Sequence, residues 1–154
     1  NKEGKLSEAD IRSLRGFRQL YANTFTDNLL AKAKVTCVLS EGKSRNVIDD
    51  NYDTSVRPKM KDGKAVFSFK LNEPATFNVL SVQEDIRKGQ RVEKFSLEVK
   101  DAKGNWKKVT EGTTVGHKRL LKFPVETAKE VRLIISEVRA VPAISEIGLY
   151  RLRY

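Results

Sequence analysis

The chain has 154 residues, enough for one domain with a single core and too few for two full ones. Thirty Lys and Arg against twenty Asp and Glu give a net charge of +10 with the signs interspersed, and 39% hydrophobic residues exclude a disordered polyelectrolyte. One cysteine, Cys37, excludes an internal disulfide; one histidine, His117, excludes a Cys/His zinc site; and no apolar run nears the roughly 20 residues of a membrane span.

Asn1 to Asp10 lack the basic-then-apolar order of a signal peptide, so the start reads as a cut. Within it, Ser7-Glu8-Ala9-Asp10 has the form of a capping box, and a helix is predicted from about Glu8. Ile11, Leu14, Phe17 or Arg18, and Tyr21 recur at helical steps; after an expected break at Asn23-Thr24, Phe25, Leu29 and Leu30 resume the stripe. Such a face packs against the rest of the chain, a second copy, or a domain outside this sequence.

From Val35 onward the period shifts to two. Phe67, Phe69 and Leu71 share one face of a predicted strand over 65–71, and the alternation recurs over 95–100. Asp101-Ala102-Lys103-Gly104-Asn105 supplies turn residues before Trp106, which is a hairpin signal. Further strands are expected over 120–123, 131–135 and 147–152. About eight short strands with almost no helix between them predict an antiparallel β-sandwich or jelly roll. No Gly-rich phosphate loop, GxSxG elbow or HExxH helix is present, so function is expected in loops on a rigid scaffold.

Three motifs then stand in order: Val82-Gln83-Glu84-Asp85-Ile86-Arg87-Lys88-Gly89-Gln90-Arg91-Val92, Gly112-Thr113-Thr114-Val115-Gly116-His117-Lys118-Arg119, and Pro142-Ala143-Ile144-Ser145-Glu146-Ile147-Gly148-Leu149-Tyr150. Together they resemble the discoidin-like module, or coagulation factor five/eight C-type domain, that follows the catalytic barrel in bacterial α-L-fucosidases of glycoside hydrolase family twenty-nine. The leading Asn1-Lys2-Glu3-Gly4-Lys5-Leu6 and Asp27-Asn28-Leu29-Leu30-Ala31 resemble the tail leaving that barrel. The resemblance implies a helical tail over 1–33 and a galactose-binding-like jelly roll over 34–154. It also implies a module without catalysis of its own, a periplasmic or secreted parent, and two partners: glycans and the barrel of the same chain. A sandwich alone has no evident place for the paired carboxyl groups of a retaining glycosidase, about 5 Å apart.

The resemblance extends to a loop, Asn46-Val47-Ile48-Asp49-Asp50-Asn51-Tyr52-Asp53-Thr54, that in relatives holds a structural calcium ion. Asp49, Asn51, Thr54 and Glu146 are the implied ligands, oxygen donors of the kind calcium takes. The same residues also read as an Asx-rich turn that satisfies its own backbone and needs no metal. For sugar, Gln83, Glu84, Arg91, His117 and Arg119 are the polar candidates, with Tyr52 or Trp106 as an apolar platform. The alternative for these groups is structural: an ion pair of Glu84 with Arg91 or Arg119, an ordinary loop histidine, and Trp106 packed at the core or rim. Cys37 is expected to be a buried small hydrophobe. A pI near 9.8 suits a nucleic-acid binder, but no nucleic-acid motif accompanies it, leaving a solvated lysine face or an affinity for anionic polysaccharide.

Overall fold

The computed structural model describes residues 4–153; Asn1, Lys2 and Glu3 of the leading segment lie outside the described residues. Helix α1 spans Glu8–Phe25 and starts on the expected capping box, with Ser7 Oγ accepting from the Asp10 N–H at 3.1 Å and Asp10 Oδ2 accepting from the Ser7 N–H at 3.2 Å. The helix runs through Asn23-Thr24 without the expected break. Thr24 Oγ1 donates back to Leu20 O at 2.8 Å, and Thr26 Oγ1 does the same to Ala22 O. Both hydroxyls are thus occupied within the last turns and do not compete for backbone N–H groups.

Coverage of the helix is also less than a packed stripe would give. Leu14, Phe17 and Tyr21 remain exposed, and only the C-terminal end is seated, where Phe25 meets Tyr150 edge-on at 4.9 Å. Phe17, Tyr21, Phe25 and Tyr150 form a ladder of successive ring contacts.

The sheets are antiparallel throughout. Strands β1 (Lys34–Thr36), β4 (Ala65–Glu84), β5 (Val92–Lys100), β6 (Trp106–Thr113) and β7 (Arg119–Val138) line up as β1-β4-β7-β5-β6, while β8 (Ile144–Tyr150) joins β4. Strands β2 (Leu39–Glu41) and β3 (Arg57–Pro58) make a separate ribbon. The segments expected over 120–123 and 131–135 are two ends of one strand, β7. Its partner β4 shifts register between Lys70 and Ala75 and again between Phe77 and Val79. Beyond those irregularities β4 pairs with β8, and before them with β1, so one bent pair of long strands feeds both layers of the sandwich. β8 ends at Tyr150; Leu152, expected in the strand, is held instead by Asn78, whose Oδ1 accepts the Leu152 N–H at 2.8 Å.

The core is the inward set of each strand: Phe67, Phe69 and Leu71 on β4, Val92, Phe95, Leu97 and Val99 on β5, and Val131, Leu133 and Ile135 on β7. Burying each such side chain contributes about 1.5–3 kcal/mol before entropy is charged. Cys37 packs half-buried against this core, and burial pushes its thiol up to about 12. Strand β8 is buried along nearly its whole length, with β4 on one edge and the chain leaving α1 bonded to the other. Leu29 N–H donates to Leu149 O at 3.0 Å, Asn28 Oδ1 accepts the Leu149 N–H at 3.2 Å, and Leu30 is fully buried. This stitching fixes the end of α1 beside the last turn of β8.

Candidate functional site

The site grows out of an irregularity at the end of β4. Gln83 faces Glu146 on β8, but the register then slips, and Glu84 faces Ile144. Side chains alternate across a strand, so Gln83 and Glu146 project to one side, and Glu84 and Ser145 to the other. A hollow lies on each side. The first, about 350 Å³, is bounded by Tyr21 and Phe25 of α1, Tyr52, Gln83, Glu146 and Tyr150. The second, about 230 Å³, is bounded by Tyr52, Asp53, Arg87, His117 and Ser145 above Glu84. Tyr52, 53% exposed, is the saddle between them.

Two of the lining residues carry unspent polarity. Gln83 and Ser145 are each 3% exposed, and neither side chain makes a hydrogen bond among the described residues. Gln83 Oε1 is buried outright, and leaving such an acceptor unpaired costs about 1–3 kcal/mol, whereas Ser145 lines the second hollow with a hydroxyl that no group of the fold engages.

Glu84 serves the frame. Its Oε1 accepts the Arg91 N–H at 2.8 Å and the Val92 N–H at 3.1 Å, and its Oε2 accepts the Gly116 N–H at 3.1 Å. This corrects the expected ion pair, since Arg91 reaches Glu84 through its backbone and sends its guanidinium to Val141 O at 2.8 Å. Arg119 is exposed on β7 opposite Val82 and lines neither hollow. His117 is exposed at the mouth of the second hollow. Gln83, Glu84 and His117 are therefore brought together around Tyr52, while Arg91 and Arg119 are not. Trp106 is no platform here: Arg132 lies over its ring at 4.3 Å and Lys100 at 5.7 Å.

The residues missed in sequence are Asp85, Arg87 and Ser145, although all stand inside the quoted motifs. Arg87 donates Nε to Asp85 Oδ1 at 2.8 Å, Nη1 to Asp53 Oδ1 at 3.0 Å and Nη2 to Tyr52 O at 3.2 Å. It thereby ties the Tyr52 loop to the end of the sheet. The hydrogen bond from Arg87 holds the buried Asp85 carboxyl below the usual carboxylate range, with the nearby charges of Arg87 and Lys88 adding to it.

The loop before Tyr52 is an Asx turn. Asp49 Oδ1 accepts the Asn51 N–H at 3.1 Å, Thr54 Oγ1 donates to Asp49 Oδ2 at 2.8 Å, and Asn51 Oδ1 accepts the Asp53 N–H at 3.0 Å. Glu146 closes on the same loop, its Oε2 accepting the Asp50 N–H at 3.2 Å. Burial pushes Glu146 up to about 8, against the hydrogen bond from Asp50, and the charges of Asp49 and Asp50 push it the same way as burial. A divalent cation would reverse that balance, and the oxygen donors of Asp49, Asn51, Thr54 and Glu146 suit calcium. Among the described residues no three His, Cys, Asp or Glu side chains converge, so neutral oxygens would have to complete such a site.

Residues 31–147 match the model of the F5/8 type C domain. The chain belongs to this discoidin-like family. Among curated proteins, α-L-fucosidase 1 of Arabidopsis thaliana is 35% identical across 97% of this chain, which corresponds to 31% of that protein. Among solved structures, SpGH29 superposes with a TM-score of 0.92 at 28% identity, over 100% of this chain and 34% of that one. A family-twenty-nine fucosidase of Ruminococcus gnavus in complex with fucose superposes at 0.86 with 29% identity, over 99% of this chain and 32% of that one. The chain thus spans about a third of the length of these relatives, and the matched third includes α1 as well as the discoidin-like sandwich. Among the described residues no helix is long and apolar enough to cross a membrane.

Proposed function

We propose that this discoidin-like chain is the non-catalytic, carbohydrate-binding module of an α-L-fucosidase, holding the enzyme on fucosylated or galactosylated glycans in a periplasmic or secreted setting. The observation that carries the proposal is the Tyr52 saddle: an exposed aromatic face flanked by two hollows, one lined by the buried, unpartnered amide oxygen of Gln83 and the other by the Ser145 hydroxyl. Sugars present C–H faces to rings and hydroxyls to such groups. The fucosidase names of relatives matched along nearly the whole chain supply the glycan class. Tethering of this kind raises the local substrate concentration without altering the chemistry. Calcium at Asp49, Asn51, Thr54 and Glu146 would, when bound, supply positive charge and fix the loop that carries Tyr52.

The test is calorimetric titration of the chain with fucose, galactose and fucosylated oligosaccharides at low and high salt, with a sulfated glycan as the charged control. Saturable heat with a neutral sugar at both salts is expected. Heat only with the sulfated glycan, vanishing in salt, would replace this proposal with anionic-polymer binding through the lysine-rich surface.

One observation favours a second role. The exposed Leu14, Phe17 and Tyr21 of α1 suit a module that braces the catalytic barrel of its own parent chain. No heat with any sugar would leave that role as the better account.

A further inference from the structure

The two hollows share one wall, and that sharing specifies more than a generic sugar site. Gln83 projects into the first hollow and Ser145 into the second, from neighbouring strands, on either side of one register slip. An amide and a hydroxyl each donate and accept, and so are matched by hydroxyl groups, which do both. A sulfate or carboxylate offers acceptors only and would leave the buried acceptor Gln83 Oε1 without a donor, whereas a sugar hydroxyl supplies one. The first hollow is further walled by Tyr21 and Phe25, which belong to α1, outside the segment 31–147 that matches the family model.

Resting on the carbohydrate-binding proposal, we infer that the Tyr52 saddle is a two-subsite cleft for a neutral oligosaccharide. One sugar unit lies against Gln83 and the aromatic wall of α1, and the adjoining unit lies in the hollow of Ser145 and His117. Tyr52 stands under the linkage between them. Helix α1 is then part of the recognition surface and not only a connection. No bond is made or broken, and discrimination comes from pairing the buried Gln83 amide oxygen and the Ser145 hydroxyl.

Titration with fucose, galactose and the disaccharide α-1,2-fucosylgalactose tests this on the intact chain and four variants. The disaccharide is expected to bind at least about tenfold more tightly than either monosaccharide. Tyr52→Ala should weaken the disaccharide by a similar factor, and Tyr21→Ala and Gln83→Leu should weaken it while sparing any monosaccharide held in the second hollow. Ser145→Ala should do the converse. Because Gln83 has no hydrogen bond to lose, Gln83→Leu should melt at or above the parent temperature while losing affinity, which separates recognition from folding. Equal affinity for mono- and disaccharide, or disaccharide binding unchanged in Tyr52→Ala and Gln83→Leu, would overturn the cleft and leave a carbohydrate site elsewhere on the module. No binding of any of the three sugars would remove the cleft together with the function on which it rests. Self-association of the chain that Tyr21→Ala abolishes, without sugar binding, would assign the face to protein contact and overturn the cleft as well.

Discussion

Glu84 and Gly116 hold each other twice: the Glu84 N–H donates to Gly116 O at 3.0 Å, and the Gly116 N–H donates to Glu84 Oε2 at 3.1 Å. The same carboxylate accepts the N–H groups of Arg91 and Val92, so one buried side chain joins the end of β4 to two loops. Glu84→Ala strands three donors and should cost about 3 kcal/mol or more. Glu84→Gln keeps the shape but turns one end into a donor and should cost about 1–3 kcal/mol. Thermal melts followed by circular dichroism rank the pair, and an alanine variant as stable as the parent would refute the strut.

Acid should loosen the Tyr52 loop before the rest. Asp85 has its carboxyl lowered in the folded chain, chiefly by the Arg87 hydrogen bond. Its contribution to stability is therefore complete above the unfolded value of about 3.9 and is lost as pH falls from there through the lower folded value. Melting temperature against pH should fall less steeply in that window for Asp85→Asn than for the parent. Parallel curves would remove Asp85 as a source of the acid sensitivity.

Calcium should raise the melting temperature of the chain relative to chelator. At a hundredfold excess over the dissociation constant the gain is about 2.7 kcal/mol. Asp49→Asn or Thr54→Val should reduce the response. Superimposable melts in chelator and in millimolar calcium would leave the loop as an Asx turn alone.

Much of the fold was legible from side-chain periodicity. The capping box at Ser7, the alternation of Phe67, Phe69 and Leu71, and the hairpin at Asp101 to Asn105 are all local signals with local causes. What escaped was set by distant neighbours. β7 read as two short strands, and β4 read only as far as Leu71, because their polar middles, around Asn72 to Thr76 and Glu126, lack alternation; their pairing with each other carries them through. The helix outlasts Asn23-Thr24 because hydroxyls bond backward along it. At the site, the family motifs held Gln83, Glu84 and His117, but nothing in residue type says that Glu84 binds backbone N–H groups and not an arginine. The wall supplied by Tyr21 and Phe25 needed the stitching of Asn28 to β8 before it could be placed.

The free face of α1 makes its own prediction. Leu14 and Phe17 touch no part of the sandwich core, so Leu14→Glu with Phe17→Glu should shift stability by no more than about 0.5 kcal/mol. The same pair should lower binding of an apolar dye and any tendency to self-associate, read by fluorescence and light scattering. A large loss of stability would mean that this face is seated after all.

Gly148 sits where a Cβ would come within 2.6 Å of the Tyr150 ring. Gly148→Ala should therefore push Tyr150 aside and unseat Phe25, leaving the sandwich folded but α1 more open to hydrogen exchange near its C-terminal end. Unchanged exchange in that turn would show that Tyr150 does not anchor the helix.

The chain carries a single tryptophan, and its ring is capped by Arg132 and Lys100 on strands remote in sequence from the Tyr52 loop. Intrinsic fluorescence at Trp106 is consequently a thermometer of the β5–β7 sheet. A glycan settling on Tyr52 would leave its emission nearly silent, so a flat fluorescence titration says nothing against binding, while the same signal cleanly follows unfolding.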